Sequence, residues 1–179
     1  MNPKEIIEKY YQPDSQLWTV LVEHSQAVRD KALDIAAKHP NLKVDMKFIA
    51  EAAMLHDIGI YLTYAPDLYC FGDLPYICHG YKGRELLEKE GYPKHALVCE
   101  RHTGTGLSLF EIQSQNLPIP HRDMLPVSIE EEIICLADKF FSKSHDLTRP
   151  KKLDKIRKSM AKHGENQLRR FDNWVERYL

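Results

Sequence analysis

The chain lacks any long apolar stretch that could enter a membrane. None of its hydrophobic runs approaches the roughly 18 residues needed to span a bilayer. The first residues, MNPKEIIEKYY, carry charges where a secretory signal peptide has its apolar segment. These two absences predict a cytoplasmic protein without a membrane partner.

Cysteine is also scarce, and the four that occur form no CxxC pair: Cys70, Cys78, Cys99 and Cys135. That spacing argues against a disulfide framework and against a zinc finger. We expect four buried or free thiols. With 179 residues and 43% hydrophobic residues, the chain is long enough to bury one core without disulfides.

Strand-like alternation, internal repeats and low-complexity tracts are absent as well, and helical periodicity dominates. The sequence predicts an all-α fold in a single domain. The expected helices cover residues 14–38, 46–59, 79–90, 93–104 and 129–143, with two more between 150 and 179. Two long segments, 61–76 and 107–126, are rich in Pro, Gly or aromatic residues and are predicted to be loops, which at this length usually carry function.

The net charge of −1 hides an uneven distribution. Nine Lys and Arg residues lie between Arg149 and Arg170, against only Asp154 and Glu165. The resulting basic stripe is interpreted as the solvated face of an amphipathic helix, with an anion-binding surface for a nucleotide or nucleic acid as the alternative. The stripe comprises Lys151, Lys155, Lys158 and Lys162.

Histidine, by contrast, is plentiful, with nine residues. Helical phase places His24 on an apolar face. His56-Asp57 ends a second apolar helix, and Asp138 lies among apolar neighbours on a third. Burying ionisable groups is costly unless something compensates, so three such anomalies suggest a shared metal ion. Five other histidines are expected at the surface: His39, His95, His121, His145 and His163.

The ordered set of His24, His56-Asp57 and Asp138 resembles the H…HD…D signature of the HD-domain metal-dependent phosphohydrolases. The following Ile58-Gly59 matches the HDIG variant. The resemblance covers about residues 14–143, which it assigns as an HD-domain helical bundle. Residues 1–13 and 144–179 are then expected to be helical extensions packed on the same domain.

Two further histidines resemble the second-metal ligands of two-metal HD proteins: His79 in HGYKGRELL and His102 in ERHTGTGLS. The resemblance implies a first metal bound by His24, His56, Asp57 and Asp138. It implies a second metal bound by His79 and His102, with Asp57 bridging the two ions. Imidazole and carboxylate ligands suit divalent Fe, Mn, Co, Ni or Zn better than Ca or Mg.

The implied activity is hydrolysis of a phosphate ester or anhydride of a small molecule, expected to be a nucleotide or dinucleotide. A hydroxide held by the two metals would attack phosphorus, and Asp57 would orient it. Candidate phosphate-binding cations are Arg101, Lys139, Lys82 and Arg84, although each also fits an exposed helix charge. The family often has lysine directly after HDIG, where this chain has Ile60-Tyr61.

Other interpretations of the same residues remain open. Some HD proteins hold a di-iron pair and use O₂, so a di-iron oxygenase is one alternative. A non-catalytic metal- or nucleotide-binding regulatory protein is another. The basic C-terminal stripe keeps a nuclease or cyclic-nucleotide phosphodiesterase open, with nucleic acid as a less favoured partner.

Overall fold

A computed structural model describes residues 1–144 and 146–179 of the chain. His145, expected at the surface, lies outside the described residues. The architecture is all-α, as predicted. The helices are α1 (Pro3–Ile7), α2 (Gln16–Lys38), α3 (Met46–Leu55), α4 (His79–Lys89), α5 (Pro93–Arg101), α6 (Leu109–Ser114), α7 (Ile129–Lys139), α8 (Leu153–Lys162) and α9 (Glu165–Tyr178). None of the described helices combines the length and apolarity needed to cross a membrane.

Helix α2 is the central element of the bundle. Its start is fixed by Ser15, whose side chain accepts a hydrogen bond from the Trp18 N–H, as N-capping serines do. The helix packs on α3 and α7. Its buried Val28 and Ile35 join an apolar cluster to which α7, α8 and α9 also contribute. A second cluster lies between α1, the N-terminal half of α2, α3, α4 and α5.

Three helices end earlier than their periodicity predicts. The helix expected over 46–59 stops at Leu55, the one over 93–104 at Arg101, and the one over 129–143 at Lys139. The first two end immediately before a buried histidine, His56 and His102, so that each histidine lies at the turn out of its helix. The early ends therefore position side chains of the candidate site.

Both predicted loops contain short regular elements. Within 61–76 the strands β1 (Tyr64–Ala65) and β2 (Cys70–Phe71) pair antiparallel, with Tyr64 opposite Phe71. The all-α prediction is confirmed, and this small hairpin escaped it because two-residue strands are too short to show alternation. Within 107–126 lies α6, whose capping box joins Ser108 and Glu111.

The C-terminal helices pack against the bundle and stabilise the loop before α6. Phe171 and Tyr178 of α9 are buried in the first apolar cluster. The buried Gln167 accepts a hydrogen bond from the Thr105 N–H and donates one to the Gly106 carbonyl oxygen. Arg170 donates to Glu111. These bonds fix the segment that follows His102.

Candidate metal centre

The fold brings all six predicted metal ligands to one buried place. Helix α2 supplies one residue from its middle, α7 supplies one from its last turn, α4 begins with one, and the turns after α3 and α5 supply the rest. Each residue is between 0% and 6% exposed: His24, His56, Asp57, His79, His102 and Asp138.

These residues form two overlapping groups, each able to hold a metal ion. One contains His24, His56, Asp57 and Asp138, and the other contains Asp57, His79 and His102; within each group the ligand atoms lie within 4.8 Å of one another. Asp57 alone belongs to both groups. The partition agrees with the one that the resemblance implied, and buried His and Asp groups of this kind could bind metal ions.

The two carboxylate oxygens of Asp57 face different histidines. Oδ2 lies 3.4 Å from His24 Nε2 and 3.2 Å from His56 Nε2. Oδ1 lies 3.5 Å from His79 Nε2 and 3.2 Å from His102 Nε2. Ligands about 2.0–2.2 Å from one ion stand roughly 3–3.5 Å apart, so these spacings suit two ions bridged by Asp57.

Local backbone geometry fixes three of the imidazoles. His56, His79 and His102 each donate from Nδ1 to the carbonyl oxygen three residues earlier, over 2.7, 2.6 and 2.7 Å. A histidine whose Nδ1 carries the proton presents the Nε2 lone pair to a metal. The same short-range bond recurs because each histidine ends or begins a helical turn.

Burial keeps three of the histidines neutral. It lowers the pKa of His24 to about 4 and that of His79 to about 3, and it also lowers the pKa of His102. Neutral imidazole is the form that binds metal. At His56 burial acts in the same direction, but the adjacent Asp57 carboxylate outweighs it and raises the pKa to about 9.

Both carboxylates stay ionised although they are buried. Burial opposes ionisation of Asp57, but His56 and the Lys143 ammonium hold its pKa well below the ordinary value. The pKa of Asp138 is lowered in the same way, by Lys139 and Lys143 against the effect of burial. The centre therefore offers two anionic ligands, which favours a cation.

Several polar atoms at the centre have no hydrogen-bond partner. In the part of the chain that the structure describes, these atoms are His24 Nδ1, His56 Nε2 and Asp57 Oδ1. Buried polar groups are almost always paired, and a group without a partner calls for an explanation such as a bound ion. Two of these atoms, His56 Nε2 and Asp57 Oδ1, face the two ligand groups, so the donor set fits a pair of metal ions.

Two lysines adjoin the centre. Lys143 Nζ lies 2.8 Å from Asp57 Oδ2 and 4.0 Å from Asp138 Oδ1. Lys139 Nζ lies 2.7 Å from Asp138 Oδ2 and donates to the His102 carbonyl oxygen over 3.1 Å. Of the four phosphate-binding candidates, Lys139 is thus the one that the fold places beside the candidate metal ligands.

The other three candidates form ion pairs with nearby carboxylates. Arg101 donates twice to Glu131, over 3.0 and 3.1 Å. Lys82 pairs with Glu85, and Arg84 pairs with Glu88 and the buried Glu100. None of the three lines the cavity that borders Asp138, so the structure does not bring Arg101, Lys82 or Arg84 to the centre.

A large cavity borders the candidate metal centre at Asp138. Its volume is about 1410 Å³, and its floor includes Tyr76, Asp138, Lys139 and Lys143. The turn of the β1–β2 hairpin lines one side and α8 lines another. Tyr76 also stacks on His79, with ring centroids 4.6 Å apart. A substrate entering here would reach the centre from the side of Asp138.

Sequence reasoning missed Lys143 as a site residue. The predicted helix over 129–143 would have turned it away from Asp138. Because α7 ends at Lys139, the chain folds back and returns Lys143 to the ligands. It supplies a cation at the centre of a chain that lacks the lysine after HDIG.

The histidines expected at the surface differ among themselves. His121 and His163 are exposed, as predicted. His39 and His95 are only partly exposed: His39 bonds to the Tyr178 carbonyl oxygen at 3.0 Å, and His95 lies 3.3 Å from Glu51. Both pack at contacts between elements, which their local sequence does not indicate.

The four cysteines are buried free thiols, as expected.

Comparison with known proteins identifies the family. The family model of the HD domain matches residues 21–142 of the chain. The chain therefore belongs to the HD-domain family, whose members are generally metal-dependent phosphohydrolases. The match confirms the resemblance that His24, His56-Asp57 and Asp138 carry in the sequence.

Three relatives among curated proteins come from archaea. An uncharacterized protein of Methanocaldococcus jannaschii is 36% identical over 66% of this chain and 64% of its own. Proteins named tRNA (cytidine(56)-2'-O)-methyltransferase are 30% identical in Picrophilus torridus and 28% in Thermoplasma volcanium. These matches cover 76% and 87% of this chain but only 36% and 41% of the relatives. No solved structure matches significantly.

Proposed function

We propose that this protein is a metal-dependent phosphohydrolase that uses two divalent transition metal ions. The substrate is a phosphate ester or anhydride of a small molecule, a nucleotide or dinucleotide. One observation carries the proposal: the two oxygens of Asp57 face two separate histidine pairs at ligand spacing. Family membership and the cavity at the same centre support it.

His24, His56, Asp57 and Asp138 would hold the first ion, and Asp57, His79 and His102 the second. Bound there, Fe, Mn, Co, Ni or Zn would activate water for attack and stabilise charge on the phosphoryl oxygens. In the net reaction, the oxygen of water forms a bond to phosphorus, the bond to the leaving oxygen breaks, and that oxygen acquires a proton.

The surrounding residues have complementary tasks. Lys139 and Lys143, placed beside the carboxylates, would bind non-bridging phosphate oxygens through their ammonium groups. Tyr76, stacked on His79, would limit the access of bulk water to the second ligand group. The Nδ1 hydrogen bonds of the histidines hold the ligand geometry before substrate arrives, so little reorganisation is needed.

The cavity size favours a nucleotide or a larger substrate over a simple phosphate. Its volume of about 1410 Å³ exceeds the roughly 300–1,000 Å³ of ordinary small-molecule sites. The names of two relatives describe transfer of a methyl group to tRNA, but more than half of each relative has no counterpart in this chain. Methyl transfer is therefore not part of the proposal.

Elemental analysis and an activity screen on one preparation test the proposal. The protein is purified without chelator and without a histidine tag. Its metal content is measured, and the same sample is assayed for phosphate release from phosphomonoesters, nucleotides and dinucleoside polyphosphates. O₂ uptake is recorded in parallel, with His56→Ala as the control for contaminating phosphatases.

The expected result is about two transition metal ions per chain, phosphate release, and loss of that release in His56→Ala. An iron-dependent uptake of O₂ without phosphate release would replace the proposal with a di-iron oxygenase. Metal-loaded protein that turns over nothing would instead indicate a binding protein on the same scaffold.

A further inference from the structure

Four lysines line one side of the cavity that borders the candidate metal centre. We call them the lysine wall: Lys151, Lys155, Lys158 and Lys162. Lys155, Lys158 and Lys162 are exposed on α8, whose Ile156 and Met160 are buried on the opposite face. Ile156 and Met160 line the cavity as well, and the basic stripe of the sequence thus borders the same cavity as Asp138, Lys139 and Lys143.

A backbone hydrogen bond holds the first lysine of the wall near the candidate metal centre. The Lys151 N–H donates to the Phe140 carbonyl oxygen over 2.7 Å, two residues beyond Asp138. Lys151 is half-buried, and desolvation together with the nearby Lys139, Lys143 and Lys155 lowers its pKa, against the attraction of Asp138. The lysine wall and the two lysines at the centre line the same cavity.

Few carboxylates of the protein neutralise the positive charges of this cavity. Among the residues that the structure describes, no carboxylate forms an ion pair with any lysine of the wall. Arg157, on the same helix, differs, because it pairs with Asp154 and Asp172. The cavity lining contains seven Lys or Arg residues against three aspartates. Like charges gathered in a cleft attract and concentrate anions.

We propose that the lysine wall binds the further phosphates of a substrate that carries several consecutive phosphates, while its reacting phosphate lies at the metal centre. The inference rests on the proposed phosphohydrolase function and narrows its substrate class. A single phosphate at the metal ligands would be bound by Lys139 and Lys143 and would not contact the lysine wall.

The dimensions of the wall agree with such a chain. Seven residues separate Lys155 from Lys162, which corresponds to about 10 Å along an α-helix. Phosphates of a stacked nucleic-acid strand advance about 3.4 Å each, so this stretch matches roughly three of them. Two sources supply this chemistry: a nucleoside or dinucleoside polyphosphate, and a short oligonucleotide with a terminal phosphate.

A matched pair of triple variants tests the inference. In one, Lys155, Lys158 and Lys162 are replaced by Gln. In the control, three exposed helix lysines outside the cavity are replaced by Gln: Lys38, Lys47 and Lys89. Both are metal-loaded and assayed for kcat/KM on a nucleoside monophosphate, a dinucleoside tetraphosphate and a short oligoribonucleotide with a terminal phosphate, at several salt concentrations.

For the wall variant we expect the preference for the many-phosphate substrate over the monophosphate to fall about tenfold or more. The slope of log kcat/KM against log salt concentration should flatten by about 0.7 for each phosphate of a single-stranded chain that the variant no longer neutralises. The control should match the wild type on all three substrates. The substrate that shows the effect, tetraphosphate or oligoribonucleotide, identifies the source.

An equal loss on all three substrates, or no loss on any, overturns the inference while leaving the phosphohydrolase function intact. If no substrate is hydrolysed, the proposed phosphohydrolase function fails. The role of the lysine wall is then tested separately, by measuring the binding of phosphate compounds. Calorimetric titration with inorganic tripolyphosphate and with the oligoribonucleotide then compares the three proteins. Weaker binding by the wall variant alone supports the lysine wall as a polyphosphate site, and equal binding by all three refutes it.

Discussion

Asp57 is the residue on which the two ligand groups depend. It is fully buried, and each of its carboxylate oxygens lies within 3.5 Å of two imidazole nitrogens. No other described residue belongs to both groups. A residue that binds two ions contributes to the affinity of both sites. Removal of Asp57 should therefore weaken both sites, whereas removal of a histidine that belongs to one group should weaken only that site.

We therefore expect Asp57→Ala to lose both metals and His102→Ala to lose only the second. Metal content per chain, measured after desalting, should fall from about two to near zero in the first variant and to about one in the second. Circular dichroism checks that both variants keep their helices. Retention of both metals by Asp57→Ala would show that it does not bridge.

For single residues, the sequence predicted which side chains come together at the candidate centre but not what surrounds them. Residue types and helical phase were sufficient for His24, His56-Asp57 and Asp138, since a buried ionisable group on an apolar helix is conspicuous. Lys143 could not be found in this way, because its position depends on where α7 ends. The pairing of Arg101 with Glu131 joins α5 to α7, a contact that no local pattern records.

Among the helices, the contact between the turn after α3 and the start of α4 holds the two ligand groups together. Gly59 lies against α4 so closely that a Cβ there would stand 2.3 Å from the His79 carbonyl oxygen and 2.6 Å from the Gly83 nitrogen. These are backbone atoms, which cannot rotate aside. The glycine of the HDIG motif thus permits the close approach of His79 to Asp57.

We expect Gly59→Ala to push α4 away and to weaken the second metal site more than the first. Overpacking of this kind costs about 1–3 kcal/mol of stability. Metal titration followed by elemental analysis should show one tightly held ion and one weakly held or missing. Ile35→Val, which costs about 0.5–1.5 kcal/mol in the core and is remote from α4, should retain both ions; equal behaviour of the two variants would contradict this account.

The helices were more predictable than the segments between them. Periodicity located α2, α3, α4, α5 and α7 because each has a continuous buried face. The β1–β2 hairpin and α6 were missed because each is too short to display a period and is held by contacts distant in sequence. Leu68 of the hairpin turn, for example, is buried in the cluster that α1 and α4 share.

Over the whole molecule, folding and metal binding should be coupled. The bundle gathers ligands from α2, α3, α4, α5 and α7, elements spread over more than a hundred residues, so the unfolded chain has no comparable site. Without ions, Asp57 Oδ1 and His56 Nε2 are buried and have no hydrogen-bond partner among the residues that the structure describes, and such atoms destabilise a fold. Metal should then stabilise the native state beyond the stability of the apolar clusters alone.

We accordingly expect chelation to lower the melting temperature of the wild type. At a free metal concentration of about 100 times Kd, binding contributes about 2.7 kcal/mol, which corresponds to a shift of roughly 5–10 °C for a domain of this size. Scanning calorimetry with added metal and with chelator measures the shift. Asp57→Ala is the control: if its melting temperature rises with metal as much as that of the wild type, the stabilising ions bind elsewhere on the chain. If the wild type does not respond at all, the bundle tolerates the unpaired atoms by itself, and the buried cluster is not a metal site whose occupation stabilises the fold.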